Sequence, residues 1–159
     1  MALAVEVSFE ERYWYPDEGG VVWMSGYQPV DSTGRFLARD APALSARGLR
    51  VAGVAGAARH HADALATEAA APGAVLELRR DRTNPHDANA IAVCGGGAQL
   101  GWVPRELAAE LAPELDAGRT WSAVVLREQR DSPRAPRRGL TMLLAPTEAI
   151  ELQPVVPRR

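Results

Sequence analysis

Apolar and polar residues alternate along much of this chain with the period of two that half-buried β-strands show. The first segment of this kind carries apolar side chains at Leu3, Val5, Val7 and Phe9. Further short apolar runs, separated by glycine, proline and asparagine, predict strands near residues 21–24, 49–54, 75–80, 90–93, 100–103, 121–126 and 140–145. The pattern therefore predicts a protein built mainly from short strands.

Two segments follow the helical period instead. The alanine-rich stretch 62–70 predicts one helix, ended by Pro72-Gly73, and residues 105–116 predict a second. Pro104 suits the start of a helix because its missing amide hydrogen would be unpaired there anyway. Pro113 lies inside the second helix and is expected to bend it or to disturb its last turn. The apolar stripe of this helix consists of Leu107, Leu111 and Leu115.

These elements predict a β-rich α+β fold, with a small curved sheet or barrel and about two short helices. The chain has 159 residues, 47% of them hydrophobic, so it can bury one ordinary core. We predict an N-terminal extension with short strands over residues 1–46, a main domain over 47–150 and a flexible tail over 151–159. The sequence has neither a long apolar run nor the features of a signal peptide, so we expect a soluble, cytoplasmic protein with no membrane partner.

The charges are divided unevenly between the two ends of the chain. Residues 1–46 hold seven acids and three arginines, a net charge of −4, whereas the remainder holds 13 acids and 15 arginines, a net charge of +2. This weak basic bias argues against a protein that coats long nucleic acid, because such binders neutralise many phosphates. It is compatible with a pocket that grips one or two nucleotides. All 18 basic residues are arginine, which favours bidentate phosphate contacts.

The most polar segment lies in the loop 81–89, between two predicted strands. Asn84-Pro85 opens a turn, since proline moves the preceding residue out of the helical region. A carboxylate at Asp87 would repel an internal phosphodiester, yet it can accept a hydrogen bond from a free hydroxyl. An acid set among arginines would therefore select the end of a strand over its interior. The alternative is an Asx turn, in which Asp87 only stabilises the loop.

Two further clusters allow two interpretations each. The segment Arg12-Tyr13-Trp14-Tyr15-Pro16 could stack on bases, although such aromatic clusters are more often core or a lid over a barrel mouth. The predicted connection between the last two strands is rich in arginine. It is expected to be a solvated, mobile loop, and the alternative is a loose phosphate contact. Its arginines are Arg127, Arg130, Arg134, Arg137 and Arg138.

Two motifs follow one another in the main domain. The first is Asn-Pro-His-Asp-Ala-Asn-Ala-Ile-Ala-Val at 84–93, and the second is Gln-Leu-Gly-Trp-Val-Pro-Arg-Glu at 99–106. Their order and spacing resemble those of the HIRAN domain, a family found at the N-terminus of SWI2/SNF2-type DNA-repair motors and as small stand-alone bacterial proteins. The resemblance extends from about Arg50 to Ala145. It implies an OB-like or SH3-like fold, and OB folds commonly hold single strands with one face and its loops.

The resemblance also implies a function. It indicates a non-catalytic module that captures the 3′-hydroxyl end of single-stranded DNA, in DNA repair or replication-fork processing, alongside a separate helicase or nuclease. By position, Asp87, helped by Asn84, would accept the terminal hydroxyl. His86 stands where relatives often carry a tyrosine that stacks on the terminal base. Trp102 and Arg105 stand where relatives line the pocket and hold a phosphate.

The candidate set also includes residues after the first strand of the main domain. There, relatives place an arginine with aromatic residues, and this chain has Arg59, His60 and His61. Arg82, from the polar loop, completes the set. Adjacent histidines could ligate a metal, but sequence neighbours rarely point the same way and no third ligand is indicated, so we predict no metal and no cofactor. The single cysteine, Cys94, is expected to be a packing residue rather than a nucleophile.

Two other function classes stay open. A metal-dependent nuclease would need a cluster of acids and histidines, and the available ones show no ligand spacing. They are Asp81, Asp87, His60, His61 and Glu106. A protein-interaction or regulatory domain with little DNA binding would fit the net acidity and the histidines that stand in place of aromatic residues. The sequence predicts no oligomeric state.

Overall fold

The computed structural model describes residues 2–14 and 22–155. Its strands are β1 (Ala2–Trp14), β2 (Val22–Pro29), β3 (Arg50–Gly53), β4 (Val75–Arg80), β5 (Ile91–Gly95), β6 (Ala98–Trp102), β7 (Ser122–Arg130), β8 (Arg137–Ala145) and β9 (Ala149–Pro154). Its helices are α1 (Pro42–Ser45), α2 (Ala57–His60), α3 (Ala62–Leu65) and α4 (Arg105–Asp116), with a 3₁₀ turn at Glu68–Ala70. The predicted β-rich α+β class is confirmed.

The described strands form one sheet with β7 at its centre. The neighbours run in the order β6-β5-β4-β7-β2-β1-β9, with β8 on the other edge of β7 and β3 beyond it. Strand β7 pairs with β4 near its start and with β2 near its end, and a bulge between Val125 and Arg127 bends it between these partners. The sheet is strongly curved but does not close. In the described chain, one isolated bridge between Ala55 and Trp102 spans the gap from β3 to β6.

Strands β7 and β8 are buried on both faces, which explains why their sequences read as nearly continuous apolar runs. One face packs inside the curve of the sheet, together with α4. Its members include Val125, Met142, Leu144, Ile91, Leu100 and Leu111. The opposite face packs under the N-terminal strand. Its members include Val124, Leu126, Leu143, Val5, Val7 and Leu49. The described residues therefore form two hydrophobic clusters with the β7–β8 hairpin between them.

The ends of the chain differ from the prediction. Strand β1 is 13 residues long rather than short, and it pairs antiparallel with β2 and parallel with β9. The predicted flexible tail is wrong for residues 151–154, because they belong to β9 and Leu152 packs against the second cluster. Tyr15 and Pro16, like the tail beyond residue 155, lie outside the described residues. The proposed boundaries of the extension and the main domain stay predictions.

The single helix predicted over 62–70 is wrong, since this region contains the short helix α3 and the 3₁₀ turn instead, and α2 precedes them at Ala57–His60. His61 separates α2 from α3 with φ −135° and ψ 32°, and Thr67 interrupts the chain again in an extended conformation. Each piece points one small or branched side chain into the main cluster, so packing overrides the helical propensity of the alanines. These side chains are Ala57, Leu65 and Ala70.

Helix α4 matches its prediction, since Leu111 is buried and the stripe faces the main cluster. It continues through Pro113 to Asp116, so the expected disturbance does not end it early. No helix in the described ranges has the length and apolar character that crossing a membrane requires.

The arginine-rich segment is mostly strand, so the predicted mobile loop shrinks to residues 131–136. Glu128 is only 6% exposed and accepts hydrogen bonds from Arg130, at 2.9 Å, and from Arg137. Arg137 also donates to the carbonyl oxygens of Leu65 and Thr67 at 2.9 and 2.8 Å. Arg137 therefore ties the β7–β8 hairpin to the segment around α3.

Candidate nucleic-acid interface

Five of the predicted site residues line one pocket of about 290 Å³, which we call the end pocket. Asn84, His86 and Asp87 come from the β4–β5 loop, Trp102 from the end of β6 and Arg105 from the first turn of α4. The remaining walls are Ala55, Ala90 and Val103. The end pocket therefore lies at the unclosed junction between β3 and β6.

Close packing of two backbones creates this junction. The amide of Ala55 donates to the carbonyl oxygen of Trp102 at 2.8 Å, and the amide of Trp102 donates back at 2.9 Å. A Cβ atom on Gly101 would lie 2.5 Å from the Ala55 carbonyl oxygen and 2.6 Å from Val54 Cγ1. Only glycine allows this approach without displacement. Sequence reasoning missed Gly101 and Ala55, and the available signal was a glycine inside a strand pattern.

Asn84 orders the loop. Its Oδ1 accepts hydrogen bonds from the amides of His86 at 2.9 Å and Asp87 at 3.2 Å, while its Nδ2 donates to Asp81 Oδ2 at 3.3 Å. Such Asx-type bonds replace backbone pairing within a turn. Asn84 therefore helps Asp87 by holding the loop in shape, with its own side-chain oxygen already occupied.

The two carboxylate oxygens of Asp87 have different surroundings. Oδ1 accepts a hydrogen bond from the Asn89 amide at 2.9 Å, so the Asx turn considered above is present. Oδ2 lies 3.9 Å from Arg105 Nε, beyond hydrogen-bond length. The Asp87 side chain is 20% exposed and that of Arg105 is 79% exposed. One oxygen thus serves the loop, and the other remains available beside the arginine.

The ring-bearing candidates form two groups. His86 is exposed and Trp102 half-buried, and both line the end pocket. Gly56 lies between Trp102 and His60, since a Cβ there would be 3.5 Å from Trp102 Cδ1 and 3.6 Å from His60 Cδ2. His60 therefore borders the pocket without lining it. His61 packs against His60 with ring centroids 6.3 Å apart.

Arg59 is exposed on α2 and is not among the residues that line the end pocket. The described residues contain no group of three or more histidine, cysteine or acidic side chains placed to hold a metal ion.

Arg82 does not line the end pocket either. Its Nε and Nη2 donate to Asp116 Oδ1 at 3.1 and 2.9 Å. Arg80 donates to the same oxygen through its Nε at 2.9 Å, and it also donates to the Ala90 carbonyl oxygen at 2.8 Å. The hydrogen bond from Arg80, followed by that from Arg82, keeps the pKa of Asp116 below its usual range. Both arginines therefore anchor the base of the polar loop to the end of α4.

Comparison with known proteins supports the interpretation of the two motifs. The family model described as "HIRAN domain" matches residues 49–141, which is more than half of the chain. A search of curated proteins gives no match. Among solved structures, the HIRAN domain of human HLTF is 28% identical, with a TM-score of 0.46 over 64% of this chain and 78% of that one.

A protein from Lactobacillus plantarum is 24% identical, with a TM-score of 0.45 over 60% of this chain and 91% of that one. The match of the family model over residues 49–141 contains both motifs and every residue that lines the end pocket. The chain therefore belongs to the HIRAN domain family, which is known for DNA binding.

Proposed function

We propose that this domain binds single-stranded DNA by holding its 3′-hydroxyl end in the end pocket. The observation that carries the proposal is the convergence of a carboxylate, a guanidinium and two rings from three separate elements on one small pocket. A volume of about 290 Å³ lies at the lower end of the range for small-ligand pockets, which suits one terminal nucleotide.

Each residue has a role that its surroundings support. Asp87 Oδ2 accepts the hydrogen bond of the terminal hydroxyl, because the other oxygen already serves the loop. Arg105 contacts the phosphate that precedes the terminal nucleotide, since its exposed guanidinium makes no short hydrogen bond to Asp87. His86 and Trp102 offer ring faces to the terminal base.

HIRAN domains are typically binding modules without catalysis. In this proposal the chain recognises the strand end, and a separate helicase or nuclease acts on the DNA during repair or replication-fork processing. The purified protein is expected to leave single-stranded DNA uncut in the presence of divalent metal ions. Cleavage that copurifies with the protein and disappears on Asp87→Ala would contradict this part of the proposal.

The deciding experiment is a fluorescence-anisotropy titration of one 5′-labelled single strand, prepared with either a 3′-hydroxyl or a 3′-phosphate. The phosphate adds charge beside Asp87 and removes the donor that the carboxylate needs. The hydroxyl strand should bind about 5- to 150-fold more tightly, the range that corresponds to an unpaired charged acceptor. Equal binding of the two strands would refute end capture. No binding at tens of micromolar would favour the protein-interaction alternative.

A further inference from the structure

A second cavity lies where the β1–β2 and β7–β8 hairpins meet, and we call it the arginine cavity. Its volume is about 870 Å³, within the range of ligand-binding pockets. It is separate from the end pocket but adjoins it along the chain, since Gly53 and Val54 line the cavity while the next residue, Ala55, lines the end pocket. Half of its lining lies outside the stretch matched by the HIRAN model, on the N-terminal side of residue 49.

The lining of this cavity is positively charged. It contains three arginines, Arg12, Arg39 and Arg127, against one acid, Asp40. Glu10 forms an ion pair with Arg12, with its Oε1 2.8 Å from Arg12 Nε. Counted against the three arginines, Asp40 and Glu10 leave a net charge of +1. The two arginines outside the ion pair are Arg39, which is exposed, and Arg127, which is largely buried and also feels the charge of Glu10.

Arg127 is incompletely paired. Its Nη1 donates to the Tyr27 carbonyl oxygen at 3.2 Å, whereas its Nε is buried without a hydrogen-bond partner among the described residues. Burial, followed by the charges of Arg39 and Arg12, lowers the pKa of Arg127 to about 10. A buried cation with an unpaired donor is unfavourable, and an anion in the cavity would offset that cost.

Strand β2 holds Arg127 in this position. Gly26 pairs with Arg127, and a Cβ atom on Gly26 would lie 2.5 Å from the Arg127 Cα. The backbones therefore approach more closely here than any other residue type allows, and β2 covers the base of the arginine.

An aromatic ring completes the lining. Alternation along β1 places Arg12 and Trp14 on the face that lines the cavity, and Trp14 is 47% exposed. Phe9 and Tyr13 lie on the opposite face, where Tyr13 contacts Trp23 edge to face. A ring beside guanidinium groups is the combination that binds single strands, because the ring stacks on a base and the arginines neutralise the phosphate.

We propose that the arginine cavity is a second nucleic-acid site, in which Arg39 and Arg127 hold an internal phosphate while a base stacks on Trp14. The inference rests on the proposed function, since the ligand is the same strand whose 3′ end occupies the end pocket. The two sites lie next to each other, because Gly53 and Val54 line the arginine cavity and the following residue, Ala55, lines the end pocket.

The test compares 5′-labelled oligothymidylates from about two to about twelve nucleotides long, a span that covers one small binding fold. The cavity variants are Trp14→Ala and Arg39→Ala, both at exposed positions, with Arg127→Gln as a third. Arg79→Ala is the matched control, because Arg79 is an exposed arginine that pairs with Glu77 and lines neither site. Thermal melting of each variant identifies any loss of folding.

The affinity of the wild-type protein should rise with strand length. Trp14→Ala should lower the affinity for the longest strand by about tenfold, the order expected for one lost base–aromatic stack. Arg39→Ala should reduce the slope of log affinity against log salt by about 0.7, the value for one phosphate of a single strand. Both variants should keep the preference for a 3′-hydroxyl and the affinity for the shortest strand.

If the cavity variants bind strands of every length with the same affinity as Arg79→Ala, the second site is overturned, even when the preference for a 3′-hydroxyl is intact. A different outcome would refute end capture and keep the second site. In it, the wild-type protein binds hydroxyl and phosphate ends equally, but the cavity variants lose its dependence on strand length. Absence of any binding by the wild-type protein would overturn both.

Discussion

Replacing Asp87 with asparagine changes the charge of the end pocket with almost no change in its shape. The amide can still accept a hydrogen bond from the Asn89 amide, which Oδ1 now accepts at 2.9 Å. The ion pair lost with Arg105 is long, at 3.9 Å, and its arginine is 79% exposed, so its contribution to stability is close to zero. Asp87→Asn should therefore melt within a few degrees of the wild-type protein.

The effect on end preference should be much larger. A 3′-phosphate carries about two negative charges, and each would be repelled by the carboxylate with about 1 kcal/mol in bulk water and about 4 kcal/mol at an effective dielectric constant of 20, for a separation of about 4 Å. Asp87 is 20% exposed and has Arg105 beside it, and both solvent and the arginine weaken this repulsion. The net preference for a 3′-hydroxyl over a 3′-phosphate should therefore be about 1 to 3 kcal/mol. Asp87→Asn should remove most of it.

The assay is the anisotropy titration with 3′-hydroxyl and 3′-phosphate strands at fixed salt concentration. Glu106→Gln is the matched control, because it also removes one negative charge. Glu106 is exposed, follows Arg105 in α4 and does not line the end pocket. Asp87→Ala should show the same loss of preference and also lose the Asx turn, at a cost of about 1 kcal/mol in stability. If Asp87→Asn keeps the wild-type ratio of affinities, or if Glu106→Gln loses it equally, Asp87 does not read the strand end.

Three further outcomes are expected. Arg105→Ala should weaken the binding of all sequences about equally and reduce the salt slope by about 0.7, whereas Arg79→Ala should leave the slope unchanged. Burial raises the pKa of Glu128, but the hydrogen bonds and charges of its two arginine partners outweigh burial, so the pKa lies below the usual 4.5. Its contribution to stability is therefore present above about pH 4.5 and is lost as the pH falls through the folded-state pKa. Glu128→Gln, which leaves two arginines without their buried partner, should cost about 3 to 5 kcal/mol at neutral pH by chemical denaturation and flatten the stability profile below that pH. Gly101→Ala should lower the melting temperature and weaken end binding, because its Cβ would meet a carbonyl oxygen at 2.5 Å, while Gly53→Ala, with 3.8 Å of clearance, should be tolerated. Equal melting temperatures for the two glycine variants would show that the junction relaxes freely.

Most residues of the end pocket could be predicted from the sequence, because short local segments of the chain place them. Asn84 sets the turn between β4 and β5 that presents His86 and Asp87. Trp102 lies on β6, the next strand of the same sheet after β5. The short connection from β6 into α4 then brings Arg105 to the same place. Strand alternation and turn chemistry decide such features within about ten residues.

Features that depend on distant partners were not predictable in the same way. Arg82 looked available in the loop, but Asp116, 34 residues away, accepts its hydrogen bonds. The arginine cavity depends on β2, which lies between the strands of Arg12 and Arg127 and pairs with both. Strand β9 contains a proline and no buried residue, so its pattern resembles a tail until β1 supplies a partner. In each case tertiary pairing, rather than local preference, determines the outcome.

The bridge between Ala55 and Trp102 has a consequence for hydrogen exchange. Its two hydrogen bonds form an isolated rung, without a flanking rung of the same ladder to hold them when one opens. These amides should therefore exchange by local opening, well before amides in the β7–β8 ladder that require global unfolding. Ala55 and Trp102 both line the end pocket, so a ligand there would contact both sides of the rung. Slowed exchange at these two amides would then report occupancy of the pocket without any label on the DNA.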